Sequence, residues 1–489
     1  MDLDPAACHR AMLARDARFD GRFFTGVTST GIYCRPICPA RPPKLENCRF
    51  FPGAAAAQEA GFRPCLRCRP ESAPDIGAWR GTSATVSRAL ALIDTGALEQ
   101  HDVEALADRL GMGERQLRRL FRQHLGASPV AVAQTRRVLL AKQLLHETRL
   151  PMTEVALASG FGSVRRFNET FQALYRRPPR ELRRLQGVDL SEGAAFSLLL
   201  PYRSPFDWDG LLDFFKGRAI PDVEWVENGR YGRTIALDGA IGTIEVGHQP
   251  ERKAIRATID FPRPTALPVI IARIRRLFDL AADPGVIGAH LSADPALAPL
   301  VAARPGLRVP GAWDGFELGV RAILGQQISV SAATNLIGRL AARWGVRTGN
   351  GRLVFPTASD LTQADIASLG MPRTRGDAVV ALARAAMADP RLFDARQDLG
   401  TTIAKLCALP GIGPWTANYI AMRALRESDA MPAGDVGLLR ALADNGVRPT
   451  ADALEARANN WRPWRAYAAL HLWASEPVAR ASNGDQPCN

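Results

Sequence analysis

The chain has 489 residues, 47% of them hydrophobic and 23% charged, with a formal net charge of +13. At about one domain per 150 residues this is too long for a single core, and about three domains are expected. No apolar run is long enough to span a bilayer, and the opening MDLDPAACHR has no apolar core, so a membrane span and a signal peptide are not expected and the chain reads as cytoplasmic. The positive excess favours a polyanionic partner such as nucleic acid, although a solvated basic surface would carry the same charge.

Residues 1–75 are rich in Cys, Pro, Arg and aromatics, with apolar runs too short to hold a core alone. Cys34 and Cys38 are separated by three residues, and Cys65 and Cys68 by two. Two such pairs supply the four soft ligands of a tetrahedral zinc site. Cys8, Cys48, Cys407 and Cys488 are scattered and show no such spacing. Ala73 to Ser83 reads as a linker.

Residues 84–186 turn helical in pattern and contain an internal repeat. EALADRLGM at Glu104 returns as EVALASGFG at Glu154, with Ala107 and Gly111 answering Ala156 and Gly160. A Phe-centred helix follows in each copy, around Phe121 and Phe171, and a Pro stands eight residues beyond it, at Pro129 and Pro179. Each copy therefore reads as helix, glycine turn, helix: the small Ala admits a close crossing and the Gly a positive φ. The second helices are expected at about Glu114–Gln123 and Ser163–Tyr175.

Gln186 to Ala195 is a polar junction. Residues 196–308 open with strand-like runs, FSLLL at Phe196, RTIAL at Arg233, IGTIEV at Ile241 and AIRATI at Ala254. After Pro268 the pattern is almost wholly helical, and residues 309–475 are expected to form a helical core. Residues 476–489 are polar and expected to be disordered. Within the core, LPGIGPWTANYIAMR at Leu409 places Gly411 and Gly413 in a hairpin between two helices. Amides exposed at such a turn can bind phosphate without side chains. Asp435 follows the second helix, in MPAGDVGLL.

TGIYCRPICPAR at Thr30, with AGFRPCLRCRP at Ala60, resembles the amino-terminal domain of the Ada methylation-response family. The resemblance implies one Zn2+ held by Cys34, Cys38, Cys65 and Cys68. It also implies that Cys34 takes a methyl group from an alkylated DNA phosphotriester. Methylation would lower the charge of the four-thiolate centre and tighten DNA binding. A purely structural zinc is the alternative.

The repeated helix pairs resemble the AraC class of tandem helix-turn-helix domain, whose second helices enter the major groove. Arg115, Arg118, Arg119, Arg122, Arg165 and Arg166 are then candidates for base or phosphate contact; a helical bundle with solvated arginines is the other reading. The remainder, Phe196 to Trp473, resembles the AlkA type of helix-hairpin-helix glycosylase, supported by RPGLRVPGAWDGFELGVRAILGQQISV at Arg304 and WRPWRAYAALHLW at Trp461.

That resemblance implies a catalytic carboxylate at Asp435 and a base pocket of Trp415, Tyr419 and Trp473, residues that would otherwise be read as core. Gln327 stands where the family has a Leu wedge. Trp415 stands where lyase-type members have a Lys, which implies a monofunctional hydrolase. Too few cysteines follow Cys407 for an iron–sulfur cluster.

The expected fold class is multidomain α+β: a small zinc-bound α+β domain, an all-α tandem helix-turn-helix domain, and an α+β glycosylase with an amino-terminal antiparallel sheet and a helical helix-hairpin-helix core. The expected activity is hydrolysis of the N-glycosidic bond of alkylated bases such as 3-methyladenine, in one chain with a methylation-sensing regulator. The alternative is a transcriptional activator whose glycosylase segment is inactive. Alkylated and promoter double-stranded DNA are the expected partners, RNA polymerase is a further one, and a monomer is expected.

Overall fold

The computed structural model describes residues 3–74, 84–183, 195–394, 398–443 and 447–475. The expected linker, junction and disordered tail lie almost wholly outside these residues. The chain is a mixed α+β protein: a small sheet, a helical region, a second sheet and a helical core follow in that order.

The first sheet has strand order β3-β1-β2-β4, from Phe24–Val27 (β1), Ile32–Cys34 (β2), Cys48–Phe51 (β3) and Arg63–Pro64 (β4). β1 pairs antiparallel with β2 and β3, while β2 and β4 run parallel. The parallel register sets Ile32 beside Arg63 and Tyr33 beside Pro64. One step further along both strands it brings Cys34 next to Cys65, so the sheet itself assembles half of the cysteine cluster.

In the helical region each repeat is a short helix, a glycine turn and a longer helix: Val103–Arg109 then Glu114–Leu125, and Met152–Ala158 then Val164–Tyr175. Gly111 and Gly160 have φ of +70° and +81°, and Ala107 and Ala156 are fully buried at the crossings. These are the roles the repeat assigned to them. Pro129 and Pro179 each begin a helix, where a missing N–H costs nothing.

The second sheet is antiparallel throughout, in the order β5-β9-β8-β7-β6. Its strands are Phe196–Pro201 (β5), Glu224–Glu227 (β6), Arg230–Leu237 (β7), Ala240–Gln249 (β8) and Ala254–Asp260 (β9). β6 is an addition to the four runs read from sequence. Asn228-Gly229 joins β6 to β7 and Asp238-Gly239 joins β7 to β8, with all four residues at positive φ. That geometry matches the twist of a two-residue hairpin. Arg233 of β7 donates to Glu317 at 2.7 Å, and Glu224 of β6 pairs with Arg321, so a buried cluster of four charges fixes the sheet to the helix Gly315–Leu324. A short hairpin, Val346–Arg347 with Leu353–Val354, interrupts the helical pattern expected after Pro268.

Buried clusters cross the segments. Phe24, Tyr33, Phe51 and Phe62 of the first sheet share one with Leu106, Leu117 and Phe121 of the first helix pair. Phe161, Phe167 and Phe171 of the second pair share another with Leu198 and Leu200 of β5. Between first sheet and helical region, Lys142 bonds Glu71 at 2.9 Å with both side chains essentially inaccessible.

Candidate functional site

The four sulfurs of Cys34, Cys38, Cys65 and Cys68 lie within 4.8 Å of one another. A tetrahedron with ~2.3 Å metal–sulfur bonds has edges of about 3.8 Å, so the donor set fits zinc. The backbone N–H of Arg35 donates to Cys68 Sγ at 3.3 Å, and the Arg35 guanidinium is held by Asp20 and by the Cys68 carbonyl. Cys34 is half-buried and the other three cysteines are buried.

Lys142 reaches this loop from the helix Pro129–Glu147, bonding Glu71 and also the Cys65 carbonyl at 3.4 Å. Burial pushes the Glu71 carboxyl up, but Lys142 and Arg69 outweigh it and hold the group below its ordinary range. Arg69 continues to Glu147, which accepts from the backbone N–H of Leu199 in β5. Sequence could not have paired these residues, which are far apart in the chain.

On the two longer helices Arg115, Arg118, Arg119, Arg165 and Arg166 are all exposed. Arg118 and Arg165 pair with Glu114 and Glu169 one turn along the same helices. Arg122 is engaged by Glu59 of the zinc-bearing segment at 2.6 Å, an anchoring role that its position in the repeat did not reveal.

The second site is built on the hairpin. The helix Leu399–Cys407 ends before Gly411, whose φ of +76° only glycine adopts freely, and the helix Pro414–Arg423 begins at once after Gly413. A side chain at Gly411 would also meet the Ala378 Cβ at 2.5 Å, whereas nothing lies within 4 Å of a Cβ at Gly413. Gln327 is exposed at φ +58°, in the turn before the helix Val330–Trp344. Its neighbour Gln326, which sequence reading passed over, donates to the Gly411 carbonyl at 2.8 Å and to Thr416 Oγ1 at 3.0 Å. The expected wedge turn is thereby tied to the hairpin.

Asp435 caps the helix Val436–Ala441, accepting from the Leu438 N–H at 3.0 Å. Its two oxygens also accept from the indole N–H groups of Trp415 and Trp473, each at 2.8 Å. Tyr419 stacks on Trp415 at 5.3 Å with a 9° interplanar angle and meets Trp473 edge-on at 6.4 Å. The three residues expected to form the base pocket thus lie together, and two of them bond the expected catalytic carboxylate. All four are half-buried.

Arg423, which donates to the Tyr419 hydroxyl at 2.6 Å, lies 4.8 Å over the ring of Phe214 from the helix Trp208–Lys216, and the following Arg218 lies 4.0 Å over the same ring. Only the chain's tertiary path brings them there, so local pattern gave no signal. Burial pushes the Tyr419 phenol up, but Arg423 and Arg218 outweigh it and hold it below its ordinary value.

Four family descriptions match the chain in order. They are the metal binding domain of Ada over residues 7–71, a helix-turn-helix domain over 106–185, the AlkA N-terminal domain over 197–314, and the HhH-GPD superfamily base excision DNA repair protein over 320–466. The probable bifunctional transcriptional activator/DNA repair enzyme AlkA of Mycobacterium tuberculosis is 42% identical over 478 residues, 96% of each chain. The DNA-3-methyladenine glycosylase 2 of Escherichia coli is 35% identical over 282 residues, 57% of this chain and 96% of that protein. Among solved structures, a 3-methyladenine DNA-glycosylase from Archaeoglobus fulgidus shares the fold, with a TM-score of 0.51 at 23% identity over 56% of this chain and 96% of that one.

Proposed function

This chain belongs to the family of bifunctional transcriptional activators and DNA repair enzymes in which an Ada-type regulator is fused to an AlkA-type glycosylase, and on that premise we propose how its two sites work. The glycosylase half hydrolyses the N-glycosidic bond of alkylated bases, 3-methyladenine and related lesions. The observation that carries this reading is Asp435, held by two indole N–H groups and a backbone N–H at the edge of a half-open aromatic cluster.

Alkylation at a ring nitrogen makes the base cationic and a good leaving group. The flipped base stacks on Trp415, Tyr419 and Trp473 through cation–π attraction. The three bonds fix the carboxylate near the sugar, where it stabilises oxocarbenium charge and orients or deprotonates the attacking water. No nucleophilic lysine is required, so the chemistry is hydrolytic, and no iron–sulfur cluster takes part. The Gly411 and Gly413 backbone and Gln327 contact the DNA strand around the extruded nucleotide.

At the other site Cys38, Cys65 and Cys68 share the metal with Cys34, and Cys34 is the methyl acceptor. Bound zinc would stabilise the thiolate form. The half-open Cys34 sulfur attacks the methyl carbon of a phosphotriester; the S–C bond forms, the C–O bond breaks, and a phosphodiester anion leaves. Arg115, Arg118, Arg119, Arg165 and Arg166 then hold promoter DNA. We place the protein in the cytoplasm as a monomer acting with RNA polymerase; no described helix is long and apolar enough to cross a membrane.

Incubating the purified protein with methylated duplex DNA tests the central reading. Free alkylated base should appear with no strand cleavage until the abasic sites are treated with alkali. Direct cleavage would make the enzyme a lyase, and no base release would leave only the regulator.

A further inference from the structure

Trp415, Tyr419 and Arg423 follow one another at one-turn spacing on the helix Pro414–Arg423, with Asp435 bonded to the first ring and Arg423 to the second. Arg423 Nη1 donates to the Tyr419 hydroxyl at 2.6 Å, and its other nitrogens donate to the carbonyls of Pro310 and Gly311, each at 2.9 Å. Arg218 donates to the Phe214 carbonyl at 3.4 Å and lies 4.0 Å over the Phe214 ring; Arg423 lies 4.8 Å over the same ring. Arg423 is 5% exposed. Among the described residues neither cation is ion-paired with a carboxylate, although most other buried arginines here are. Two largely uncompensated cations in a protein wall are costly and need a reason.

A pocket for a cationic base would be expected to avoid positive charge. The placement makes sense for the bond that breaks. When the C1′–N bond cleaves, its electron pair stays with the base, so a cationic base leaves neutral and the sugar becomes cationic until water adds. Positive charge therefore moves from the base toward the sugar. In this site that is movement away from Arg218 and Arg423 and toward Asp435.

We propose that Arg218 and Arg423 form an electrostatic back wall of the base pocket, acting through Tyr419 and the field across the glycosidic bond to favour departure of the base. They are positioning residues, because their partners in the structure are protein groups. The wall raises the energy of the bound cationic base and relaxes as the base becomes neutral, so it lowers the barrier of the chemical step at the expense of ground-state affinity. The hydrogen bond from Arg423 makes the Tyr419 oxygen an acceptor and draws electron density from the ring against which the base stacks, which adds to the weaker hold on the cationic base.

This inference rests on the glycosylase reading above and is tested apart from it. Arg218→Gln and Arg218→Lys are compared with the parent in single-turnover release of 7-methylguanine from duplex DNA, with protein concentration varied. The expected result for Arg218→Gln is a saturating rate about twofold lower, the change a unit charge feels on moving from roughly 10 to roughly 13 Å away with an effective dielectric near 20. The half-saturating concentration should fall as well, because repulsion of the bound cation is relieved. Arg218→Lys should restore both values toward the parent. A half-saturating concentration that rises or stays unchanged while the rate falls is what a packing defect gives, and it overturns the proposal. So does a saturating rate equal to the parent's. If the parent itself releases no base, the glycosylase reading fails first.

Discussion

Replacing Lys142 by Met removes the cation from the most deeply buried ion pair that joins the first sheet to the helical region. Its side chain and that of Glu71 are 0% and 1% exposed, at 2.9 Å. Removing one partner of such a pair typically costs about 3–5 kcal/mol, because the other charge is left without compensation. Here Arg69 still reaches Glu71 at 3.1 Å, which places the expected loss at the lower end, about 3 kcal/mol. Glu71→Leu should cost a similar amount by stranding the ammonium, which keeps the Cys65 carbonyl at 3.4 Å and the Tyr175 ring at 5.5 Å but no carboxylate. The double variant leaves no stranded charge, and its loss should be at least about 2 kcal/mol smaller than the sum of the singles. Urea unfolding of the zinc-loaded protein, followed by circular dichroism and by zinc release, measures all four corners of the cycle. Single variants within about 1 kcal/mol of the parent, or a double variant whose loss is additive, would refute the reasoning.

Three further outcomes follow from the geometry. Cys34→Ser should abolish methyl uptake from methylphosphotriester DNA, read as transfer of labelled methyl to protein; uptake that persists moves the acceptor elsewhere. Gly411→Ala forces a side chain to positive φ and against Ala378, and should destabilise the hairpin by about 1–2 kcal/mol and weaken DNA binding, whereas Gly413→Ala should leave stability within about 0.5 kcal/mol of the parent. Any loss of DNA affinity in Gly413→Ala then reports close approach of the strand. Burial holds His146 and His471 at about 4, below the ordinary imidazole value of ~6.5. The unfolded chain takes up these protons more readily, so the stability each neutral ring contributes is complete above about pH 6.5 and is lost as the pH falls toward 4, up to about 3 kcal/mol apiece. His146→Leu should flatten the fall in urea midpoint between pH 7 and pH 5; an unchanged slope would exclude that residue.

Features written in local spacing were legible from sequence. The cysteine pairs predict a metal cluster because ligand geometry dictates close spacing, and the parallel β2–β4 register supplies the remaining proximity. The repeated Ala and Gly fix both helix pairs because crossing and turn are local demands. β6 escaped because Glu224–Glu227 is short and charged, although Asn228-Gly229 is a hairpin signal in its own right. Trp415, Tyr419 and Trp473 could be assigned to a pocket only through family resemblance, since an aromatic on a helix is most often core. Phe214, Arg218 and Gln326 were illegible for a different reason: each enters the site from another element, and only the assembled fold brings it there. The Lys142–Glu71 pair belongs to the same class.

Base release depends most directly on the Asp435 carboxylate. Asp435→Asn keeps the size of the side chain and an acceptor oxygen for the capped helix, and removes the charge. Single-turnover release of 3-methyladenine from methylated duplex DNA, at saturating protein and with the fold checked by circular dichroism, measures the consequence. The expected rate is at least about a hundredfold below the parent's, the scale on which one preorganised electrostatic group acts on a charged transition state. Release at the parent's rate by a folded Asp435→Asn protein would contradict that dependence.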